Sequence, residues 1–183
     1  MWTSLLKIEA SNYENREGKA ENLRGLGECL QLSGQLEKAS IAYESARTIA
    51  QSLAWENPRI RRFQIQLALS EKELGAALAK SGQHERALIA LNHAVEILNG
   101  TSQLGAGEHF LKTCANALIF GLTHRREAAV EAASALRNAF ESGFRDFDVI
   151  RVNPDLGPIR SLPEIQRLID EFGFPNDPFK GYR

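Results

Sequence analysis

Cysteine and histidine are too few and too scattered in this sequence to build a disulfide framework or a metal site. Only two cysteines occur among the 183 residues, Cys29 and Cys114, and they form no Cys-x-x-Cys pair. Because both fall in apolar helical patterns, we expect two buried structural thiols. The four histidines without ligand spacing are His84, His93, His109 and His124. We therefore expect no metal and no cofactor, and we expect His93 to be half-buried or at the surface.

A long apolar run and an excess of basic charge are also missing. The apolar run at residues 117–122 is far too short to span a bilayer. The first residues have no basic region before their short apolar stretch, which is unlike a secretory signal. The formal net charge is −1, whereas nucleic-acid binders usually carry a basic excess. These absences predict a cytoplasmic protein that binds neither nucleic acid nor membrane.

The common catalytic and phosphate-binding motifs do not occur in the chain. There is no Gly-x-x-x-x-Gly-Lys loop, no Gly-x-Gly-x-x-Gly turn and no Gly-x-Ser-x-Gly elbow. Glu71 and Glu73 are two residues apart, so on a helix they point to different faces. The sequence therefore predicts a non-enzymatic protein without catalytic residues, and an enzyme with an unrecognised site is the alternative.

A repeat with a period of 48 residues is the strongest pattern in the chain. Between residues 20 and 49, 13 of 30 positions are identical to their equivalents in residues 68–97. Chance would give about two identities at typical residue frequencies. Leu26-Gly27 recurs as Leu74-Gly75, and Ser33-Gly34-Gln35 recurs as Ser81-Gly82-Gln83. Repetition of this length predicts a stack of similar structural units.

Each copy of the repeat has the pattern of a helical hairpin. Leucines at helical spacing predict one apolar packing stripe on the first helix: Leu23, Leu26 and Leu30. Gly27 lies inside that helix, where glycine costs about 1 kcal/mol relative to alanine, and its recurrence as Gly75 predicts a close approach of two helices. Ser33-Gly34 ends the first helix. The second helix should span roughly 20 residues and break near Asn57-Pro58, because proline suits the first turn of the next helix.

These positions resemble the tetratricopeptide repeat family, whose motif combines Leu-Gly, a turn glycine and an Ala–aromatic–Ala stripe. The first copy matches at Leu23, Leu26-Gly27, Leu30, Gly34, Ala39, Tyr43 and Ala46. The second copy matches at Leu74-Gly75, Leu78, Gly82, Ala87, Leu91 and Ala94. It departs from the motif at Glu71, where an apolar residue is expected, so we expect that helix to start its packing later. Long-period repeats of this type resemble those of large bacterial signalling proteins.

The C-terminal third predicts one more helix pair and a closing segment. The pair covers residues 105–120 and 127–141, after a linker at residues 99–102. Residues 143–169 resemble the closing element of bacterial repeat arrays, including arrays attached to serine/threonine protein kinases. We expect apolar side chains of this segment to cover the last helix pair: Phe144, Phe147, Leu156, Ile159, Ile165 and Leu168. Residues 174–179 should form an irregular tail.

The resemblance implies an all-α fold, a tetratricopeptide-like α-solenoid of antiparallel helix pairs with a C-terminal capping segment. Residues 1–144 would form about three helix pairs, and residues 145–183 the capping segment and tail. The implied function is a non-catalytic protein–protein interaction scaffold that binds a peptide or a helix in a concave groove. The alternative is a regulatory or sensor region associated with a bacterial serine/threonine protein kinase.

The resemblance also implies where the groove lies, because the first helix of each pair lines the concave face in the family. The expected groove residues on the two first helices are Glu21, Arg24, Glu28, Gln31, Leu69, Lys72, Ala76, Ala79 and Lys80. The Lys and Asn pair that clamps a peptide carboxylate in chaperone-binding members is not reproduced here. A further expectation is self-association through an apolar N-terminal edge formed by Trp2, Leu5, Leu6 and Ile8.

Overall fold

The computed structural model describes the backbone of residues 2–173 and the side chains of residues 12–173. Throughout this described part, every regular element is helical and the helices pack in adjacent pairs, as predicted. The chain forms two compact units that divide between Thr101 and Ser102, inside the predicted linker. The domain boundary predicted near residue 144 falls within the second unit. No helix in the described ranges has the length and apolar character needed to cross a membrane.

The first unit contains four helices that follow the two copies of the repeat. Their bounds are α1 (Trp2–Leu32), α2 (Leu36–Glu56), α3 (Arg61–Lys80) and α4 (His84–Gly100). The break predicted near residues 57–58 lies between α2 and α3. Because α1 is continuous from Trp2, the N-terminal residues belong to the first helix of the first copy. The expected apolar edge falls on side chains outside the described residues, namely Trp2, Leu5, Leu6 and Ile8.

Two equivalent turns reverse the chain within each pair. Gly34 and Gly82 have backbone φ angles of 76° and 77°, in the left-handed region that favours glycine. The amide of Gln35 donates to the carbonyl of Leu30 at 2.9 Å, and Gln83 donates to Leu78 at the same distance. This bond closes the helix end as in a Schellman motif. The turns predicted from the repeat are therefore confirmed, and the two helices of each pair run antiparallel.

The repeated glycines inside α1 and α3 mark the closest approach of each pair, as predicted. A Cβ atom added at Gly27 would lie 2.8 Å from Cε1 of Tyr43 in α2. A Cβ atom added at Gly75 would lie 2.6 Å from Cγ of Leu91 in α4 and 3.2 Å from the carbonyl oxygen of Ala87. Both distances are shorter than a van der Waals contact, so a side chain at either glycine would push the paired helix away.

Packing between the two pairs occurs where α3 meets α2. Phe63 and Leu67 of α3 are buried in one cluster, and α2 supplies Ala50, Leu53 and Ala54 to the same cluster. The expectation that α3 starts its packing after residue 71 is therefore wrong. The prediction placed the start of this packing too late because Phe63 and Leu67 precede the region in which the two copies match.

Two expectations about α1 are also wrong. Leu26, predicted to lie in the packing stripe, is 50% exposed, and Cys29, predicted to be buried, is exposed. Their equivalents in α3, Leu74 and Ala77, are buried. The reason is that α3 packs against α1, α2 and α4, whereas α1 packs against α2 and α3.

The second unit combines the third helix pair with the C-terminal segment. Its bounds are α5 (Ala106–Thr123), α6 (Arg126–Glu141), α7 (Phe147–Val152), a 3-10 turn (Pro154–Leu156) and α8 (Pro163–Gly173). Cys114, Leu136 and Phe140 are buried in one cluster with residues of the C-terminal segment. The six predicted side chains all contact this cluster: Phe144, Phe147, Leu156, Ile159, Ile165 and Leu168. The predicted tail, residues 174–179, lies outside the described residues.

Candidate binding groove between α2 and α4

The residues predicted to line a concave groove lie on α1 and α3, and some of them are engaged in internal contacts. Nε of Arg24 donates to Oε2 of Glu73 at 2.8 Å, and its Nη1 donates to Oε1 of Gln66 at 2.8 Å, so Arg24 ties α1 to α3. Ala76 is buried. Half-buried residues of the set are Gln31, Leu69, Lys72 and Ala79, and exposed residues are Glu21, Glu28 and Lys80. The concave-face site stays a prediction.

A groove runs instead along α2, with α4 as its second wall and α3 as its floor. One end encloses about 480 Å³ and is lined by Glu37, Ser40, Ile41, Glu44, Ser45, Gln83 and Arg86. The central section encloses about 250 Å³ and is lined by Glu44, Arg47, Glu71, Leu74, Leu78, Arg86, Ile89, Ala90 and His93. The other end encloses about 510 Å³ and is lined by Gln51, Ala54, Trp55, Pro58, Gln64, Leu67 and His93.

The three sections form one continuous surface, which we call the α2–α4 groove. Glu44 and Arg86 line both the first end and the centre, and His93 lines both the centre and the other end. Along α2 the groove extends from Glu37 to Trp55, which is about 27 Å at a helical rise of 1.5 Å per residue. This length suits an extended segment of about eight residues.

A buried carboxylate organises the floor of the groove. Glu71 is only 3% exposed, and its Oε1 accepts from Nδ1 of His93 at 2.8 Å and from Nη1 of Arg47 at 3.4 Å. Nη2 of Arg47 also donates to Glu44 at 2.7 Å. Burial lowers the pKa of Arg47, but the hydrogen bonds and charges of Glu44 and Glu71 outweigh it and raise that pKa above its ordinary value. The network links α2, α3 and α4, and it explains how α3 tolerates a charge at a core position.

Exposed apolar side chains stand along the rim of the groove. Ile41 is 68% exposed and Ile89 is 72% exposed, although each is followed in sequence by a buried alanine. Trp55 at the far end of α2 is 86% exposed. Ile41 and Trp55 lie 14 residues apart, which is close to four helical turns, so both project from one side of α2. Three large apolar groups are therefore exposed along one groove, where a bound molecule would cover them.

Sequence reasoning missed this groove, although two signals for it were present. Ile41 and Ile89 are identical in the two copies, yet neither belongs to the predicted packing stripes. Glu71 stands at a position where the repeat favours an apolar residue. Each signal concerns a residue whose role depends on a neighbouring helix, and the prediction considered each hairpin by itself. His93 is half-buried, as expected. Its hydrogen bond to Glu71 holds its side chain in the groove.

The fold is one of paired helices, with a cleft between the second helices of the first two pairs. In comparisons with known proteins, no family model, no curated protein and no solved structure matches the chain. The resemblance to the tetratricopeptide repeat family, and the link to serine/threonine protein kinases that it implies, therefore stay predictions.

Proposed function

We propose that this protein is a non-catalytic interaction module that binds a segment of a partner protein in the α2–α4 groove. The observation that carries the proposal is the exposure of Ile41 and Ile89 at equivalent positions of the two copies. This isoleucine recurs in both copies but lies outside the buried core of each. Contact with a ligand accounts best for its recurrence. A partner that covered either side chain would gain roughly 1.5–3 kcal/mol from its full burial.

Trp55 supports the same proposal from the other end of the groove. Tryptophan is enriched among the few interface residues that contribute most of the binding energy. Trp55 lines its section of the groove together with Pro58 and Leu67, which form an apolar surface for one large side chain. A segment that touches Ile41, Ile89 and Trp55 spans the whole groove. The alternative predicted from the sequence is a regulatory region associated with a bacterial serine/threonine protein kinase. This alternative names a different partner from the proposed interaction module, and it rests on the resemblance alone.

The proposal is tested by screening the full-length protein against a library of eight-residue peptides. The peptides are acetylated and amidated so that their terminal charges do not contribute, and retained peptides are identified by mass spectrometry. Ile41→Asp and Ile89→Asp should each weaken binding of the best retained peptide by roughly tenfold, because a buried contact of about 1.4 kcal/mol is lost.

The matched control is Val130→Asp on α6, which places the same charge at another exposed apolar residue. This control should leave both binding and melting temperature unchanged. Equal loss of binding in the control and in the two isoleucine variants would overturn the assignment of the groove. Failure of the wild-type protein to retain any peptide would overturn the proposed function itself.

A further inference from the structure

The two walls of the α2–α4 groove carry opposite charges. The α2 wall presents Glu37 and Glu44, and the α4 wall presents Arg86. Glu37 and Arg86 line the same end of the groove, yet no ion pair joins them in the part of the chain that the structure describes. A groove of this kind offers a ligand one acidic and one basic surface on facing walls.

Only some of these charges are available to a ligand. Arg47 is shared between Glu44 and Glu71, so its charge is balanced within the protein. Arg86 donates to the uncharged side chain of Gln83 at 2.6 Å, and no ion pair among the described residues includes it. Glu37 is exposed at the N-terminal end of α2. The pair that remains for recognition is therefore Glu37 on one wall and Arg86 on the other.

The dimensions of the groove favour an extended segment over a helix. The central section encloses about 250 Å³, which is about half of what either end encloses. A helix with its side chains is about 10–12 Å wide along its whole length, so it does not match a groove whose volume halves at its centre. An extended chain is narrower, and its successive side chains point to opposite sides. Neighbouring side chains of such a segment would reach opposite walls of the groove.

From these observations we infer that the groove selects an extended protein segment bearing a basic and an acidic side chain beside apolar anchors, an inference that rests on the proposed function. The basic side chain pairs with Glu37, and the acidic side chain pairs with Arg86. The apolar side chains cover Ile41, Ile89 and Trp55. Paired charges of this kind contribute to specificity more than to affinity, so they decide which segments bind.

The repeat supplies matched controls for both charges. Glu85 occupies in α4 the position that Glu37 occupies in α2, and Lys38 occupies in α2 the position that Arg86 occupies in α4. Lys38 and Glu85 are exposed, and neither lines a described section of the groove. Charge reversal at these two positions changes the net charge as reversal in the groove does, but outside the proposed site.

The experiment applies the same peptide library to the wild-type protein and to four variants. Wild-type protein should enrich peptides that contain both Lys or Arg and Asp or Glu. Glu37→Lys should reduce the enrichment of basic residues by at least about threefold, and Arg86→Glu should reduce that of acidic residues similarly. Lys38→Glu and Glu85→Lys should leave both enrichments unchanged. Replacing the basic residue of a retained peptide with Glu should weaken its binding to wild type, and Glu37→Lys should restore it.

The outcomes separate this inference from the proposed function. If retained peptides lose binding with Ile41→Asp but show no charge preference, the charge inference is overturned and the proposed function stands. Equal changes in the groove variants and their controls also overturn it, because they indicate an effect of net charge alone. Retention of only helix-forming peptides overturns the extended conformation. If no peptide is retained, both proposals fail together.

Discussion

The two copies of the repeat form the same hairpin, but the second copy buries an additional face of its first helix. Both have the left-handed turn glycine and the glycine that lets the paired helix approach. On α3, Phe63, Leu67 and Leu74 are buried. The equivalent positions on α1 are Asn15, Lys19 and Leu26, and all three are exposed. The repeat motif thus sets how a hairpin closes on itself, whereas the neighbouring helices decide which other residues are buried.

The largest expected effect comes from removing an aromatic ring that only the second copy buries. Phe63→Ala should lower the free energy of unfolding by about 3–5 kcal/mol, because a large cavity would form between α2 and α3. Asn15→Ala, at the equivalent exposed position, should change it by less than about 0.5 kcal/mol. Urea unfolding followed by circular dichroism measures both. Similar losses in the two variants would show that the two faces are packed alike.

The helix-internal glycines give a smaller and graded effect. Gly75→Ala should cost about 1–3 kcal/mol, because the new Cβ meets both Leu91 and the backbone of Ala87. Gly27→Ala should cost less, since the three atoms nearest to its Cβ all belong to the side chain of Tyr43 and none to the backbone. Gly18→Ala meets nothing within 4 Å and should stabilise the protein by roughly 0.5–1 kcal/mol, as alanine favours a helix. The order of the three melting temperatures checks this expectation, and a stabilising Gly75→Ala would contradict the close approach.

The smallest expected effect is a pH dependence of the free energy of unfolding, caused by a residue that the first copy lacks. Burial raises the pKa of Glu73 above its ordinary value, with its bonds to Arg24 opposing the shift. The folded chain therefore holds a proton at pH values just above that ordinary value, where the unfolded chain has lost it. The free energy of unfolding should then fall as the pH rises through this window, and Glu73→Gln should remove the dependence.

Unfolding measured between pH 4 and pH 7 tests the contribution of Glu73, with Glu21→Gln as a control for the change in net charge. The first copy has Gly25 at the equivalent position, so it contributes no titration there. A wild-type protein that gains stability relative to Glu73→Gln as the pH rises would contradict the assigned direction.

The sequence predicted the features that depend on neighbours along the chain. Turn chemistry predicts the helix ends at Gly34 and near Asn57. Helical spacing and the recurrence of Gly27 predict the close approach of α2 to α1. The exposure of Leu26 and the burial of Glu71 could not be predicted in this way. Glu71 is held by Arg47, 24 residues before it, and by His93, 22 residues after it. The residue pattern of a single helix does not show which residues of other helices will be its partners.

The predicted site did not include the α2–α4 groove for the same reason. The residues expected on α1 and α3 were chosen because they point away from the packing stripe of their own hairpin. Whether such a residue is free depends on the next hairpin, and Arg24 is engaged with Glu73 and Gln66 of α3. The α2–α4 groove exists only once α4 lies beside α2 over the floor formed by α3.

Backbone amide NMR shifts of the labelled full-length protein, recorded while the best retained eight-residue peptide is added, test the central claim most directly. The claim predicts that the shifts concentrate in residues 37–56 and 83–97, on both walls of the α2–α4 groove. It also predicts that Ile41→Asp raises the peptide concentration needed for half of the maximal shift by roughly tenfold. Shifts concentrated in residues 21–31, with none on either wall of the groove, would contradict the claim and place the ligand on α1.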